Sequence, residues 1–318
     1  WNTVASTEKL GTIEGSVTLG ENTTVKGNST LTADDNIAIG NNSVITGNTA
    51  ADGVISAGGL ISIGDGTQVL DNTAISDGKA AINLADGQTL YIGSGAILSG
   101  NTSNGVSGSV QAGQNTQINV YTDATAYTFI NDGISTTAAA STADAAPLAD
   151  QTVMTKTGAG TLVYGGTGTT DTFGGTYQQL EGNLIIGHAT FGAVDSATGK
   201  VGPLQSIDGA VMGTDDTVYD IRTGQVTLAK NSTMKGASAT FGGDSTLLLS
   251  DGSVLDFGTP ATFQDNSRVG IQVSDASGNP VPLAQLRKGT ESVPVTLNGT
   301  AISGPPLNNV FLGPTTAP

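Results

Sequence analysis

The sequence has no cysteine, few aromatic residues and a single histidine, His188. Without cysteine there is no disulfide and no thiolate metal ligand, which excludes disulfide scaffolds and zinc fingers. Aromatic residues are only 4% of the 318 residues, too little bulk for a wide core. No run of eighteen apolar residues occurs, so no membrane-spanning helix is predicted. A cysteine-free chain fits an exported bacterial protein, and we expect it to be a segment of a longer precursor.

Basic residues are also scarce. Lys and Arg total 11 against 27 Asp and Glu, which gives a formal net charge of -16. Such a surface repels phosphate backbones, so we expect no nucleic-acid partner. Because charged residues are only 12% of the chain, most of the surface must be neutral and polar. We therefore expect partners to be recognised through hydrogen bonds rather than through long-range charge attraction.

What the sequence does have is a twelve-residue pattern that recurs with its apolar positions in register. Four clear copies share Gly at position four and Asn at position twelve, and two weaker copies follow. The copies begin at Val17, Ile37, Ile61, Leu90, Val226 and Leu247. Positions one, three and nine are apolar in all six copies, and successive starts of the clear copies lie 20, 24 and 29 residues apart. A period in this range is typical of a solenoid, in which each unit stacks on the next.

Alternation of apolar and polar residues at positions one to three is strand periodicity. The predicted fold is therefore all-β, a parallel β-helix of roughly ten to thirteen turns at the strand spacing of a sheet. In this fold positions one, three and nine of every copy line up inside. The position-nine residues are the decisive test, because they must lie over one another. In the clear copies these residues are Val25, Ile45, Val69 and Leu98.

The copies are separated by insertions that differ in length. Residues 50–59 and 73–89 follow the Asn corner of the second and third copies, and we expect them to project from one side as loops. Residues 135–150, rich in Ala, Ser and Thr, predict a protruding loop. We assign residues 1–277 to the rod and residues 278–318, with seven of the ten prolines, to a continuation of the rod or the start of another module.

Two rows of polar residues should run along the rod. Position twelve supplies a predicted structural amide ladder, with ligand binding as the alternative. Its members are Asn28, Asn48, Asn72 and Asn101. The next position supplies a row of hydroxyls, and its members are Ser29, Thr49, Thr73 and Thr102. The hydroxyl row is read either as ordinary turn residues, as a glycosylation track or as a self-association face.

Signals for catalysis and metal binding are weak. His188 would have to be the base of any serine triad, and Ser245 in Gly-Asp-Ser lacks the context of a nucleophile motif. Asp34-Asp35 and Asp215-Asp216 are read as solvated turn carboxylates, with weak Ca²⁺ binding as the alternative. We therefore predict that the chain is not an enzyme and has no catalytic residue, no metal site and no cofactor.

Residues 156–187 carry a longer motif, KTGAGTLVYGGTGTTDTFGGTYQQLEGNLIIG. It resembles the strand repeat of autotransporter passengers, roughly K-x-G-x-G-T-L-x-L-x-G, then Y-x-G-G-T, then G-x-L-x-x-G. Phe173 stands one residue short of the usual Tyr spacing, and Tyr164 replaces the second Leu. The matching positions are Lys156, Gly158, Gly160, Thr161, Leu162, Gly174, Gly175, Thr176, Gly182, Leu184 and Gly187. With the Asn-Thr repeats, the chain resembles passenger domains of AIDA-type self-associating autotransporter adhesins.

This resemblance implies a right-handed parallel β-helix on a Gram-negative cell surface, anchored by a separate C-terminal β-barrel outside this chain. It implies autoaggregation and biofilm formation through copies of the chain on neighbouring cells. A host surface receptor and a glycosyltransferase that adds O-linked heptose are further implied partners. Two rivals stay open: a β-helix carbohydrate-active enzyme, either a lyase or a glycosidase, and a passive stalk.

Overall fold

The computed structural model describes residues 14–27, 30–104, 108–136, 152–166, 171–264 and 266–271, and the backbone of Asn2–Ala5 and Val310–Leu312. In this part of the chain the structure is all-β, with no helix. Nearly all strand pairs are parallel, and each strand pairs with its counterparts in the preceding and following repeats. The predicted all-β class is confirmed. Among these residues no helix exists that could cross a membrane.

Three sets of strands recur along the stack, and we call them the first, second and third faces. The first face consists of β2 (Val17–Leu19), β5 (Ile37–Ile39), β9 (Ile61–Ile63), β13 (Thr89–Ile92), β17 (Gln117–Tyr121), β20 (Val153–Thr157), β22 (Thr176–Gln179), the first parts of β27 (Val218–Leu228) and β29 (Ser238–Leu249), and β31 (Thr262–Phe263).

The second face begins and ends with strands whose backbone alone is described. It consists of β1 (Asn2–Ala5), β3 (Thr23–Lys26), β6 (Val44–Thr46), β10 (Gln68–Leu70), β14 (Ile97–Ser99), β18 (Tyr127–Ile130), β21 (Thr161–Tyr164), β23 (Asn183–Ile186), the second parts of β27 and β29, β32 (Arg268–Ile271) and β33 (Val310–Leu312).

The third face is interrupted. Its strands are β4 (Leu31–Ala33), β8 (Ile55–Ala57), β12 (Ile82–Leu84), β16 (Val110–Ala112) and β19 (Ile134–Thr136), then β26 (Val211–Met212), β28 (Thr233–Gly236) and β30 (Val254–Phe257). A corner sheet between the second and third faces contains β7 (Thr49–Ala50), β11 (Thr73–Asp77) and β15 (Thr102–Asn104). One antiparallel hairpin, β24 (His188–Phe191) and β25 (Leu204–Asp208), completes the described strands.

The core is one continuous cluster enclosed by the three faces. Val25, Ile45, Val69 and Leu98 pair in register on consecutive strands, and each is fully buried. Aliphatic side chains fill a narrow space here, and burying each contributes about 1.5–3 kcal/mol. The predicted stacking of position nine in the clear copies is therefore confirmed.

Positions one, three and nine of the two weaker copies are also buried, but these copies begin on a different face from the clear ones. On the second face Val226 pairs with Leu184 on one side and with Leu247 on the other, whereas Val17 lies on the first face. The position-nine residue Met234 accordingly lies on the third face. A strand, a tight turn and a second strand have the same apolar pattern at either corner, so periodicity alone does not distinguish the two.

Three predicted loops are also corrected. The insertions at 50–59 and 73–89 are not projecting loops, because they contain strands β8, β11 and β12 of the corner sheet and third face. The predicted loop at 135–150 begins too early, since Ser135 and Thr136 pair with Gln111 and Ala112 inside the stack. The rest of it, residues 137–150, lies outside the described residues, as does most of the proposed 278–318 module.

Candidate functional site: the amide ladder and the hydroxyl row

Three asparagines of the amide ladder stack inside the corner between the second face and the corner sheet. Asn48 Nδ2 donates to Asn72 Oδ1 at 3.0 Å, and Asn72 Nδ2 donates to Asn101 Oδ1 at the same distance. The backbone N–H of Asn48 donates to Asn72 Oδ1 as well, at 3.1 Å. Each side chain therefore satisfies buried groups of the chain itself, the structural role such a ladder predicts. Asn28 and Ser29 lie outside the described residues.

The ladder ends on a carboxylate that the sequence analysis missed. Asp132 Oδ2 accepts hydrogen bonds from the Asn101 N–H at 2.9 Å and from Asn101 Nδ2 at 3.2 Å. Burial raises the pKa of Asp132, while hydrogen bonds from Ser109 and Asn101 oppose the shift. In the sequence Asp132 follows Asn131 in Asn-Asp-Gly, an ordinary turn signal, so only the spacing from Asn101 could have pointed to it.

The hydroxyl row lies on the outside of the same corner. Thr73 pairs with Thr49 on one side and with Thr102 on the other, and Thr102 Oγ1 donates to Thr73 Oγ1 at 2.9 Å. Thr49 and Thr102 are exposed and Thr73 is half-buried. The structure thus brings these three together as one row of hydroxyls on a three-stranded sheet that faces solvent.

A second row of hydroxyls, inside the corner between the first and second faces, was also missed. Thr23, Ser43 and Thr67 are buried at position seven of the first three clear copies. Ser43 Oγ accepts from the Thr23 N–H at 3.2 Å, and Thr67 Oγ1 accepts from the Ser43 N–H at 3.3 Å. The signal was a hydroxyl residue repeated at position seven, next to an apolar strand.

Lys156, the first residue of the autotransporter-like motif, is fully buried in the row of position three. Its Nζ donates to the carbonyl oxygens of Thr157 at 2.8 Å and Gly158 at 2.6 Å. Burial lowers the pKa of Lys156 to about 8, and the Glu181 carboxylate partly offsets this. One repeat later Gln179 takes the same place, with Nε2 donating to the Gly182 carbonyl at 2.8 Å. Both side chains cap a glycine corner.

Asp171 and Tyr164 form a second buried polar cluster. Tyr164 Oη donates to Asp171 Oδ1 at 2.9 Å, and the Gly213 N–H donates to Asp171 Oδ2 at 2.6 Å. Burial raises the pKa of Asp171 to about 6, although these hydrogen bonds oppose the shift. Both side chains are enclosed, so the cluster ties three segments of the chain together rather than facing a substrate.

The weak catalytic candidates have structural partners. His188 Nδ1 lies 3.0 Å from the Asn131 carbonyl oxygen, and Asn131 Nδ2 donates to the Ala189 carbonyl at 2.7 Å. These contacts dock the antiparallel hairpin on the outside of the second face, where Phe191 packs edge-on against Phe129 at 4.9 Å. Ser245 is buried and donates to the Gly242 carbonyl at 2.6 Å.

Of the predicted turn carboxylates, Asp215 pairs with Lys235 at 3.0 Å. No group of three or more His, Cys, Asp or Glu residues that could hold a metal ion occurs among the residues described. Comparison of the chain with family models, with curated proteins and with solved structures finds no match. Its function has to be inferred from its own surfaces.

Proposed function

We propose that the chain is a right-handed parallel β-helix that acts as a non-enzymatic, self-associating adhesin on a bacterial cell surface, a passenger of the AIDA-type autotransporter group. The stacked parallel registers along three faces support the β-helix. The motif at residues 156–187 supports the passenger assignment. Lys156 and its glycine corner give that motif a structural reason, because the buried amine donates to the carbonyls of Thr157 and Gly158 at this turn.

The observation that carries the proposal is the hydroxyl row of the corner sheet. Thr49, Thr73 and Thr102 present the same group on adjacent strands, spaced by about 4.8 Å. An identical row on a second, antiparallel copy has the same repeat distance, so the two rows can interdigitate along their length. Each hydrogen bond contributes only about 1 kcal/mol net, but repetition and many copies per cell supply avidity.

Charge sets the conditions of this association. Two chains of net charge -16 repel each other, and screening by salt weakens that repulsion. Contacts between neutral hydroxyl groups are much less sensitive to salt. We therefore expect association to strengthen as ionic strength rises, and association that weakened steadily with added salt would contradict the proposal.

The decisive experiment displays the chain on cells that do not aggregate and follows their settling. The triple variant Thr49→Glu, Thr73→Glu, Thr102→Glu adds negative charge along the row and should abolish settling. The matched control is Thr240→Glu with Thr262→Glu, an outward-facing pair on adjacent strands of the first face. Settling that persists in the triple variant, or that fails equally in the control, would place the adhesive surface elsewhere. Displayed wild-type chain that never aggregates would favour the passive stalk.

Glycosylation of the row is tested separately. Co-expression with a heptosyltransferase should increase the intact mass of the wild-type chain, and replacing the three threonines with valine should reduce that increase. An unchanged wild-type mass would remove the glycosyltransferase from the proposed partners and leave self-association untouched. A reducing-sugar assay on bacterial polysaccharides should stay blank, and sustained release of sugar ends would favour the enzyme rival instead.

A further inference from the structure

A groove of about 370 Å³ lies on the outside of the first face. Two tyrosines on adjacent strands line it. Tyr91 of β13 pairs with Asn119 of β17, and Tyr121 of β17 pairs with Thr157 of β20. Both tyrosines are 48% exposed, and in the described part of the chain they are the aromatic side chains that fall in the exposed class.

The floor of the groove is made of backbone and small side chains. Gly64 and Gly93 occupy position four of their repeats, and a Cβ at either would overlap the preceding turn. Close approach of the turns therefore requires glycine there. A consequence is that position four contributes no side chain to the lining of the groove, which also includes Ser62.

Polar groups held in fixed positions line the groove. Asn41 Oδ1 accepts from the Asp65 N–H at 2.9 Å, which orients the Asn41 amide group. Asp65 Oδ1 accepts from the Ser94 N–H at 2.8 Å, which fixes the carboxylate. Tyr121 Oη donates to Asp123 Oδ1 at 2.8 Å and so holds its ring in place. Asn119, which is half-buried, contributes a further amide beside Tyr91.

We propose that this groove binds a neutral oligosaccharide. Aromatic rings pack against the apolar face of a pyranose, while the ring hydroxyls need donors and acceptors such as those of Asn41, Asp65 and Asn119. Ligand sites combine apolar surface with a few oriented polar groups in this way. Asp65 and Asp123, within a chain of net charge -16, disfavour sialylated, uronic or sulfated sugars.

This site is independent of the proposed self-association, because the hydroxyl row belongs to another sheet. A second copy of the chain could also occupy a groove, but it would have to bring its own negative charge onto Asp65. A neutral sugar carries no such penalty.

The test uses the full chain on a microarray of neutral, sialylated and sulfated oligosaccharides, followed by calorimetric titration with the neutral glycan retained best. The double variant Tyr91→Ala, Tyr121→Ala should weaken that affinity at least about tenfold, whereas Tyr91→Phe, Tyr121→Phe should stay within about threefold, since the rings remain. The control is Val194→Ala with Leu204→Ala, two exposed apolar residues outside the groove.

Retention of no neutral glycan, a preference for sulfated or sialylated glycans, or equal affinity of the wild type and the double alanine variant would each overturn the inference. Circular dichroism of each variant confirms that the fold is kept. Cells displaying the double alanine variant should still settle as the wild type does. Loss of settling without any glycan binding would instead assign the groove to contacts between copies.

Discussion

Residues 14–136 and residues 152–271 belong to one stack of parallel strands, but their interiors differ. In the first region small aliphatic side chains fill the core, and buried backbone groups are satisfied by repeated Asn, Ser and Thr side chains. In the second region aromatic rings join the aliphatic side chains in the core, and the rings of Phe241 and Phe263 stack with their centroids 4.8 Å apart. Its buried backbone groups are satisfied by single side chains such as Lys156 and Gln179.

The difference shows that buried backbone groups at the corners can be satisfied in two ways, either by a row of identical side chains or by a single side chain at one corner. At every corner the chain leaves carbonyl and N–H groups without a strand partner, and burying them unpaired is costly. A ladder divides this task among identical residues that also bond one another. A single cap such as Gln179 bonds carbonyls of its own corner and of the next turn, but it is not bonded to an identical residue. The two regions should therefore respond differently to substitution.

The largest expected effect is in the ladder. Asn72→Ala removes an acceptor for Asn48 and a donor to the Ile45 carbonyl and to Asn101, all of them buried. We expect a loss of about 3–5 kcal/mol in the free energy of unfolding, measured by urea denaturation. Gln179→Ala is the matched change in the second region. Its cost should be smaller because the hydrogen bond that Gln179 accepts from Tyr177 Oη is long, at 3.5 Å, and is not part of a ladder. Equal costs would show that the ladder has no cooperative advantage.

The second effect concerns the buried cation. The pKa of Lys156 falls from 10.5 to about 8 on folding, so between these values the unfolded chain binds more protons than the folded chain. Stability must therefore rise with pH across this window, by roughly 2–3 kcal/mol from this residue. Lys156→Gln imitates Gln179 and should abolish the rise without lowering stability at pH 7.

The control for this prediction is Lys156→Met, which fills the space but removes the side-chain donor to the Gly158 carbonyl, and should be less stable than Lys156→Gln at every pH. The measurement is the difference in unfolding free energy between each variant and the wild type from pH 7 to 10.5. If the unfolding free energies of the Gln variant and the wild type changed with pH in parallel, the Lys156 amine would not titrate between pH 8 and 10.5, and the prediction would be wrong.

The third effect has the opposite sign. The pKa of Asp171 rises from 3.8 to about 6 on folding, so between these values the folded chain binds more protons. Stability should fall by roughly 2–3 kcal/mol as pH rises through this range. Asp171→Asn should remove this slope, although it also costs stability because its amide faces the Gly213 N–H in one orientation. Thermal unfolding from pH 3.5 to 7 measures the slope, and an unchanged slope in the variant would contradict the assignment.

The sequence predicted the repeated features of the first region better than the single features of the second. The ladder and the stack of Val25, Ile45, Val69 and Leu98 were predictable because each residue repeats at the same position of a recurring pattern. Lys156 in the core was not, since a lysine in a polar segment is usually solvated. The face on which Val226 lies was not predictable, since the same strand-turn-strand pattern occurs at both corners.

The hairpin was unpredictable for a different reason. Its contacts are distant in sequence: the Val201 N–H donates to Gln68 Oε1 at 2.9 Å, on a strand four layers back along the second face. Local patterns carry no record of such a partner. Phe191 and Ile207 of the hairpin pack against apolar residues on the outside of the second face, which include Leu70 and Ile97. The alternating pattern alone would have left this strip facing solvent.

The smallest expected effect on stability is at Asp71, the residue that departs from the repeat at position eleven. At position eleven the chain adopts a positive φ, and three of the four clear copies have glycine there, whereas the third has Asp71 at φ 53. A side chain in this region is strained, although Asp tolerates it better than most residues. Asp71→Gly should therefore raise the free energy of unfolding by about 0.5–1 kcal/mol. Asp71→Asn keeps a residue suited to this φ and removes only the charge, so its midpoint in urea separates backbone strain from electrostatic repulsion. A gain in the Asn variant equal to that in the Gly variant would mean that charge, not strain, limits this corner.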